Sequence, residues 1–175
     1  MYIELIANLG ILTCYFFEYA LERWYNMRAV VQRVSSSSVS VNENIIGEIG
    51  IGFNVLIGIS KDDTVEDLNY IKDKIINLRV FHDENDKMNL SLLDIKGEIL
   101  VISQFTLYGD CRKGRRPNFM EAQSGEEANK LYKELLKLLK TSNLKVESGE
   151  FGADMKVQIN NDGPVTILLD SKRNF

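Results

Sequence analysis

The feature that most constrains this chain is the apolar run Glu98–Ile102 together with the polar segment that follows it. The run is short and uninterrupted, which predicts a buried strand. It leads into Ser103–Leu107, where hydroxyl and amide side chains appear, and then into the basic, glycine-bearing loop Tyr108–Arg116. A strand that ends in hydroxyls beside positive charge could hold a phosphorylated substrate. The alternative is a strand end that enters a solvated turn.

Strand patterns lie on both sides of this run. β-Branched residues and alternation predict a strand over Arg28–Val34. Ser35–Ser38 could form a flexible linker, but the alternation resumes at Val39–Val41, so this segment is interpreted as strand with a polar face, followed by a hairpin turn at Asn42–Asn44. A further strand is predicted at Phe53–Ile59. The closing strands are predicted over Leu144–Glu147, Met155–Ile159 and Val165–Leu169.

Two amphipathic helices separate the strands. Thr64 with Asp67, and Ser124 with Glu127, have the spacing of capping boxes and predict the two helix starts. The first helix is predicted to end near His82. The predicted buried stripes are Leu68, Ile71, Ile75 and Leu78 in the first helix, and Ala128, Leu131, Leu135 and Leu138 in the second.

The order of elements is strands, strand and helix twice, and then strands. This order predicts an α+β domain in which antiparallel-rich β-sheets pack together with helices on one side, a β/β/α layering.

Composition narrows the class of function. A chain of 175 residues with 45% hydrophobic content can form one domain with a substantial core. The formal charge of -4 argues against wholesale coating of nucleic acid, although a local basic patch can still bind it. Cys14 and Cys111 are too few for a disulfide framework, which favours a reducing, cytoplasmic setting. With His82 as the one histidine and no ligand cluster, neither a metal site nor a cofactor is expected.

Residues 1–26 differ from the rest of the chain because they are mainly apolar and aromatic. They lack the basic start and the small-residue cleavage site of a secretory signal. The uncharged run Leu5–Phe17 is shorter than the ~20 residues of a membrane-spanning helix, so no membrane association is expected. The segment is either an extra amphipathic helix or upstream sequence read through from a misplaced start. We favour the second interpretation, with 1–26 as an atypical extension and 27–175 as the domain.

Nucleophiles follow the central strand, but the sequence shows no paired base. Cys111 lies beside two cations, whereas Thr106 and Ser103 carry hydroxyls that are weak nucleophiles on their own. A hydrolase built on this segment would need backbone donors for an oxyanion and help from the substrate itself.

A second notable stretch is Asn160–Thr166, in which Pro164 follows Gly163 at the start of a strand. The ordinary interpretation is a tight turn with a trans peptide bond, since only ~5% of such bonds are cis.

Several motifs, taken together, carry a resemblance to a known family. They resemble the D-aminoacyl-tRNA deacylases in order and spacing, from Met27 nearly to the C-terminus, and only residues 1–26 depart from the pattern. The motifs are Met27–Val34, Ser103–Leu107, Lys113–Pro117, Phe151–Met155 and Asn161–Thr166.

The resemblance implies a homodimer that hydrolyses the ester between a D-amino acid and the 3′ end of tRNA. It implies a cis bond between Gly163 and Pro164, presented to the partner subunit's active site, where it would exclude L-amino acids. Glycyl-tRNA should be accepted to some degree, because glycine has no side chain to exclude. Arg33 would brace this segment, and Met155 would line the pocket.

The resemblance also implies how the ester is cleaved. The backbone N–H groups of the pocket would bind the terminal ribose and the carbonyl of the substrate. Catalysis would depend on the 2′-OH of the terminal adenosine, with the Thr106 hydroxyl as the alternative nucleophile. The pocket residues implied are Ser103, Gln104, Phe105 and Thr106.

The basic loop is assigned to tRNA phosphates from its charge more than from a motif. A non-catalytic tRNA- or RNA-binding module would also explain this loop, and a thiol enzyme that uses Cys111 is a third alternative. The residues assigned to phosphates are Arg112, Lys113, Arg115 and Arg116.

Overall fold

The computed structural model describes residues 26–173. The predicted extension therefore lies outside the described residues, apart from Asn26, and stays a prediction. No helix among residues 26–173 is long and apolar enough to cross a membrane. The elements are β1 (Arg28–Val41), β2 (Asn44–Ile49), β3 (Gly52–Gly58), α1 (Val65–Asn77), β4 (Phe81–His82), β5 (Met88–Leu90), β6 (Glu98–Ser103), a 3₁₀ turn (Phe105–Tyr108), α2 (Gly125–Lys140), β7 (Val146–Ser148) and β8 (Lys156–Asp170).

One mixed sheet of six strands is built on β1, which is 14 residues long. One edge of β1 pairs with β8 over most of its length, and the other edge pairs first with β3 and then with β2, all antiparallel. β6 joins β3 in parallel, and β7 joins β6 in parallel. A Cβ on Gly47 of β2 would lie 3.2 Å from the Ser148 oxygen of β7, so the sheet curls into a nearly closed barrel.

The α+β class and the placement of both helices on one side are confirmed, but the strands form one curled mixed sheet instead of several sheets packed together. The serine segment is strand, as predicted, and it continues the strand before it without a break, so β1 runs from Arg28 to Val41 and keeps the β1–β2 hairpin in the same sheet as β3. The strands β3, β6 and β7 are parallel because a helix connects each one to the next, and such a crossover returns the chain to the same end of the sheet. The last two predicted strands are likewise one strand, β8.

Both helices begin where the capping pattern predicts, but they differ in their caps. Asp67 Oδ2 accepts hydrogen bonds from the Thr64 backbone N and from its Oγ1, both at 2.9 Å. α2 begins directly after Ser124, whose side chain makes no capping hydrogen bond. α1 ends at Asn77, earlier than predicted, because Leu78 adopts an extended conformation and the chain continues into the β4–β5 hairpin.

The core has one part on each face of the sheet. On one face the two helices pack against β1, β3 and β6. On the other face, inside the barrel, is a smaller cluster of Val34, Val39, Ile49, Leu100 and Ile102. Partly buried side chains complete this inner cluster, namely Leu56, Met155, Val157 and Ile159.

Candidate active site

A cleft of about 880 Å³ opens at the edge of the inner cluster, where β6 ends. Its floor is the apolar set Leu56, Ile102, Met155, Val157 and Ile159. Ser103–Phe105 form one wall, Phe119–Met120 and Ala122–Gly125 form a second, and Phe151–Met155 form the third. The fold therefore brings together four of the predicted pocket residues: Ser103, Gln104, Phe105 and Met155.

The carboxyl end of β3 positions two of these walls. The backbone N of Gln104 donates to the oxygen of Ile57 at 2.7 Å, and the backbone N of Gln123 donates to the oxygen of Ile59 at 2.8 Å. Gly58 lies between the two acceptors. A Cβ at Gly58 would approach the Tyr108 ring to 2.9 Å, so a glycine is needed for the 3₁₀ turn to sit on the strand end.

The start of the 3₁₀ turn presents backbone donors. The Gln104 N–H is already bonded to β3, which removes it from the donors predicted for the substrate. Within the turn, Leu107 N donates to the Gln104 oxygen at 3.3 Å, and Gly109 N donates to the Thr106 oxygen at 2.9 Å. The N–H groups of Phe105 and Thr106 have no acceptor among the described residues. Two adjacent N–H groups of this kind can bind a carbonyl oxygen that becomes an oxyanion.

The side chains of the 3₁₀ turn can contact a substrate, but they have no described partner that would make them an acid or a base. Phe105 is 56% exposed and meets the Phe119 ring edge-on at 5.1 Å. Thr106 is exposed, lies outside the lining of the cleft, and its hydroxyl makes no hydrogen bond with the described residues. The histidine of the chain, His82, pairs with Asp86 at 3.2 Å and lines a different cavity. Cys111 is exposed and also lies outside the cleft lining.

The described residues offer no arrangement for a metal. Among residues 26–173, no group of three or more His, Cys, Asp or Glu side chains could hold a metal ion.

Gly163 and Pro164 form an exposed turn within β8, and the peptide bond between them is cis. Arg33, which is 5% exposed, lies beneath the turn: its Nε pairs with Asp162 at 3.0 Å, and its Nη1 donates to the Val80 oxygen at 2.6 Å. A Cβ on Gly163, which has a φ of 110°, would lie 2.8 Å from Arg33 Nη2. Neither Gly163 nor Pro164 lines the cleft of its own chain.

The basic loop precedes the second wall of the cleft. Backbone hydrogen bonds between Asp110 and Asn118, at 2.8 and 2.9 Å, close this loop. Arg112 Nε and Nη2 donate to the two oxygens of Asp110, at 2.8 and 2.7 Å, and this pairing lowers the pKa of the Asp110 carboxyl. The remaining cations make no ion pair with the described residues and are exposed: Lys113, Arg115 and Arg116.

Sequence reasoning missed the second wall and the turn that supports it. Ser60 forms a β-bridge with Ala122, and Lys61, the next residue, lines the cleft. Asp63 accepts hydrogen bonds from the Ser60 N at 2.7 Å and from its Oγ at 2.8 Å. Burial raises the pKa of the Asp63 carboxyl to about 7, although these hydrogen bonds oppose the shift. Residues 60 and 122 are far apart in sequence, and no local pattern predicts their pairing.

The fold and the site are those of an α+β protein with a cleft at a strand end and backbone donors at its wall, an arrangement that suits hydrolysis of an ester. The sequence model of a family described as D-Tyr-tRNA(Tyr) deacylase matches residues 30–170, which is most of the chain. The chain therefore belongs to the D-aminoacyl-tRNA deacylase family, a group of hydrolases involved in tRNA proofreading.

Individual relatives agree with this assignment. A D-aminoacyl-tRNA deacylase from Clostridium beijerinckii is 91% identical over 149 residues, which are 85% of this chain and 100% of the relative. A D-aminoacyl-tRNA deacylase from Clostridium botulinum is 78% identical over the same length and the same shares of both chains.

Two solved structures share the fold. One is described as a c-Myc DNA unwinding element binding protein and has a TM-score of 0.77 at 46% identity, covering 81% of this chain and 97% of its own. The other is described as a probable eukaryotic D-amino acid tRNA deacylase and has a TM-score of 0.72 at 20% identity. The match covers 83% of this chain and 99% of that structure's chain. The second shows the fold alone.

Proposed function

We propose that this esterase cleaves D-aminoacyl-tRNA, and glycyl-tRNA to some degree, and that it rejects L-aminoacyl esters. Free amino acid and tRNA are the products, and the cytoplasm, where charged tRNA is used, is the place of action. The observation that carries the proposal is the position of the family motif Ser103–Phe105 in the wall of the cleft, beside two unpaired backbone donors.

The chemistry follows from the groups at this wall. The ester carbonyl oxygen accepts hydrogen bonds from the N–H groups of Phe105 and Thr106, which stabilise the oxyanion that forms as water attacks the carbonyl carbon. The C–O bond to the 3′ oxygen then breaks, and this oxygen leaves as a hydroxyl with the proton that the attacking water releases through the neighbouring 2′-OH. The 2′-OH of the terminal adenosine is adjacent to the ester and activates the water, a role for which the described side chains of the cleft offer no histidine.

Chiral selection is assigned to the Gly163–Pro164 turn of a second subunit. In this proposal the protein is a homodimer, and the turn enters the cleft of the partner, where its backbone carbonyls meet the substrate's amino group. An L-amino acid would direct its side chain into this wall and be excluded. Three observations support the assignment: the turn is exposed, Arg33 braces it, and it does not line the cleft of its own chain.

The basic loop is assigned to phosphates of the tRNA. Lys113, Arg115 and Arg116 are exposed and form no ion pair with a described carboxylate. Arg112 is directed towards Asp110 and would have to release that carboxylate before it could bind a phosphate. The loop therefore contributes affinity without sequence selectivity.

The first test compares release of tyrosine from D-Tyr-tRNA and L-Tyr-tRNA by purified protein without added metal. We expect cleavage of the D-ester alone. Equal cleavage of both esters would contradict the assignment of chiral selection. Binding of tRNA without cleavage of either ester, by folded protein and also by a chain starting at Met27, would contradict the hydrolase and favour a non-catalytic RNA-binding module.

A further inference from the structure

One cation in the cleft belongs neither to the family motifs nor to the basic loop. The charged residues that line the cleft are Lys61 and Asp154. Lys61 is exposed, and no described carboxylate lies within ion-pair distance of its amino group. Its charge is therefore available to an anion that enters the cleft.

The backbone that carries Lys61 is fixed to the site, although the side chain is exposed. Ser60 is fully buried, bonds to Asp63 through both its N and its Oγ, and pairs with Ala122 in the second wall. The preceding residue, Ile59, accepts the hydrogen bond from Gln123 of the same wall. Lys61 is thus placed at a defined point relative to the cleft, whereas most surface lysines are held only by their own helix or strand.

The position of Lys61 also extends the positive charge of the basic loop. The second wall begins at Phe119, directly after that loop, and Ser60 joins the wall three residues further on, at Ala122. A nucleotide whose 3′ ester lies at Ser103–Phe105 carries its 5′-phosphate on the other side of the same ribose. An ammonium on a flexible stem is well suited to bind such a phosphate as a point charge.

We propose that Lys61 binds the 5′-phosphate of the substrate's terminal nucleotide and thereby positions the ester at the donors of the 3₁₀ turn. This inference rests on the proposed function. It assigns the recognition of a single phosphate inside the cleft to Lys61 and leaves the basic loop for phosphates further along the tRNA.

The direct test uses two small esters that differ in one group. The 3′-O-D-tyrosyl esters of adenosine and of adenosine 5′-monophosphate share the reacting ester, but only the second carries the phosphate. We expect the wild type to prefer the phosphate-bearing ester about two- to fivefold in kcat/KM, mainly through KM, which is the range of one solvent-exposed ion pair. Lys61→Met should reduce this ratio to about one, and Lys61→Arg should largely restore it.

A second measurement uses D-Tyr-tRNA itself and does not depend on small esters being substrates. The slope of log kcat/KM against log salt concentration should become shallower by ~0.7 in Lys61→Met, as for the loss of one phosphate contact to a single strand. The matched control is Lys140→Met, an exposed lysine at the far end of α2, about 22 Å along the helix from Gly125. Its slope should equal that of the wild type.

The outcomes separate this inference from the proposed function. An unchanged ester ratio and an unchanged salt slope in Lys61→Met, with an active wild type, would overturn the role of Lys61 alone. If Asp154→Asn reduced the ester ratio and the salt slope as much as Lys61→Met does, Lys61 would act by pairing with Asp154. That result would also overturn the assignment of Lys61 to the phosphate. A wild type that cleaves neither D-Tyr-tRNA nor either small ester would overturn the proposed function and this inference together.

Discussion

At the 3₁₀ turn, the atoms that can act on an ester are backbone atoms. The N–H groups of Phe105 and Thr106 lack acceptors among the described residues, and the Thr106 hydroxyl makes no hydrogen bond with a described group that could act as its base. A threonine hydroxyl needs a nearby base to become a nucleophile, and His82 is engaged elsewhere with Asp86. The groups of this turn therefore favour a reaction in which the chain supplies backbone hydrogen-bond donors and the substrate supplies the hydroxyl that activates the water.

Replacement of Thr106 tests this view. Thr106→Ala, and the closer isostere Thr106→Val, should keep activity on D-Tyr-tRNA within about tenfold of the wild type, because the backbone N–H remains. The same tRNA with a 2′-deoxy terminal adenosine should be cleaved at least ~100-fold more slowly, since it lacks the group that activates the water. Single-turnover rates give both values. A thousandfold loss in Thr106→Val, with normal cleavage of the 2′-deoxy substrate, would instead identify Thr106 as the nucleophile.

At the scale of elements, the β3 end and the Ser60–Asp63 turn are what assemble the cleft. Ile57 of β3 accepts a hydrogen bond from Gln104, Ile59 just after the strand accepts one from Gln123, and Ser60 adds a bridge to Ala122. The carboxylate of Asp63 holds Ser60 in place, even though burial penalises its charge and Asp67 lies close enough to raise its pKa further. The turn thus depends on a carboxylate whose ionised form is unfavourable in the folded state.

The stability of the protein should reflect this carboxylate. The folded-state pKa of Asp63, about 7, lies above its ordinary value of 3.8, so the folded protein binds the proton more tightly than the unfolded chain. The resulting stabilisation is fully present below pH ~4 and is lost as the pH rises through 7. Urea unfolding at pH 4.5, 6 and 8 measures this effect. Between pH 4.5 and 8, the free energy of unfolding of the wild type should fall by about 2–4 kcal/mol relative to that of Asp63→Asn.

Asp63→Asn is a matched variant because its amide can still accept the Ser60 N–H. A difference in unfolding free energy between the two proteins that does not vary with pH would contradict the raised pKa of Asp63.

At the scale of the whole molecule, one chain holds the two parts of the proposed chemistry apart. The cleft opens at the end of β6, whereas the Gly163–Pro164 turn is exposed on β8 above Arg33 and borders a different cavity through Asp162. A turn that does not line the cleft of its own chain can select substrates only if a second subunit brings it there. The assembly of two chains is therefore part of the proposed site.

A heterodimer with two different tags tests this arrangement. One subunit carries Pro164→Ala, which removes the rigid ring from the proposed wall. The other carries Ala153→Trp, which fills its own cleft but keeps the intact turn. If the turn acts in the partner subunit, the one open cleft meets an intact turn, so the heterodimer should cleave D-Tyr-tRNA and reject L-Tyr-tRNA.

The Pro164→Ala homodimer is the control and should admit the L-ester. Cleavage of L-Tyr-tRNA by the heterodimer at half the rate of that homodimer would mean that the turn acts on its own chain. A monomer by sedimentation with full chiral selection would contradict the shared site altogether.

Local patterns in the sequence determined the class of fold, both helix starts and one wall of the site. Thr64 and Ser124 begin helices because capping depends on residues a few positions apart, and Ser103–Phe105 line the cleft because a strand end must lead into a turn. The family resemblance named Met155 and the Gly163–Pro164 turn by the same local reasoning, since motifs are also contiguous. These features need no knowledge of which strands are neighbours.

Only the tertiary structure decided how these parts meet. The single curled sheet, the continuity of β8, the bridge from Ser60 to Ala122 and the position of Lys61 in the cleft all depend on contacts between distant residues. Periodicity reveals that a strand is buried, but not the strand with which it pairs or its direction, because both faces of a buried strand are equally apolar. For the same reason, the sequence could not show that the Gln104 N–H is already hydrogen-bonded, because its acceptor, Ile57, lies 47 positions earlier in another strand.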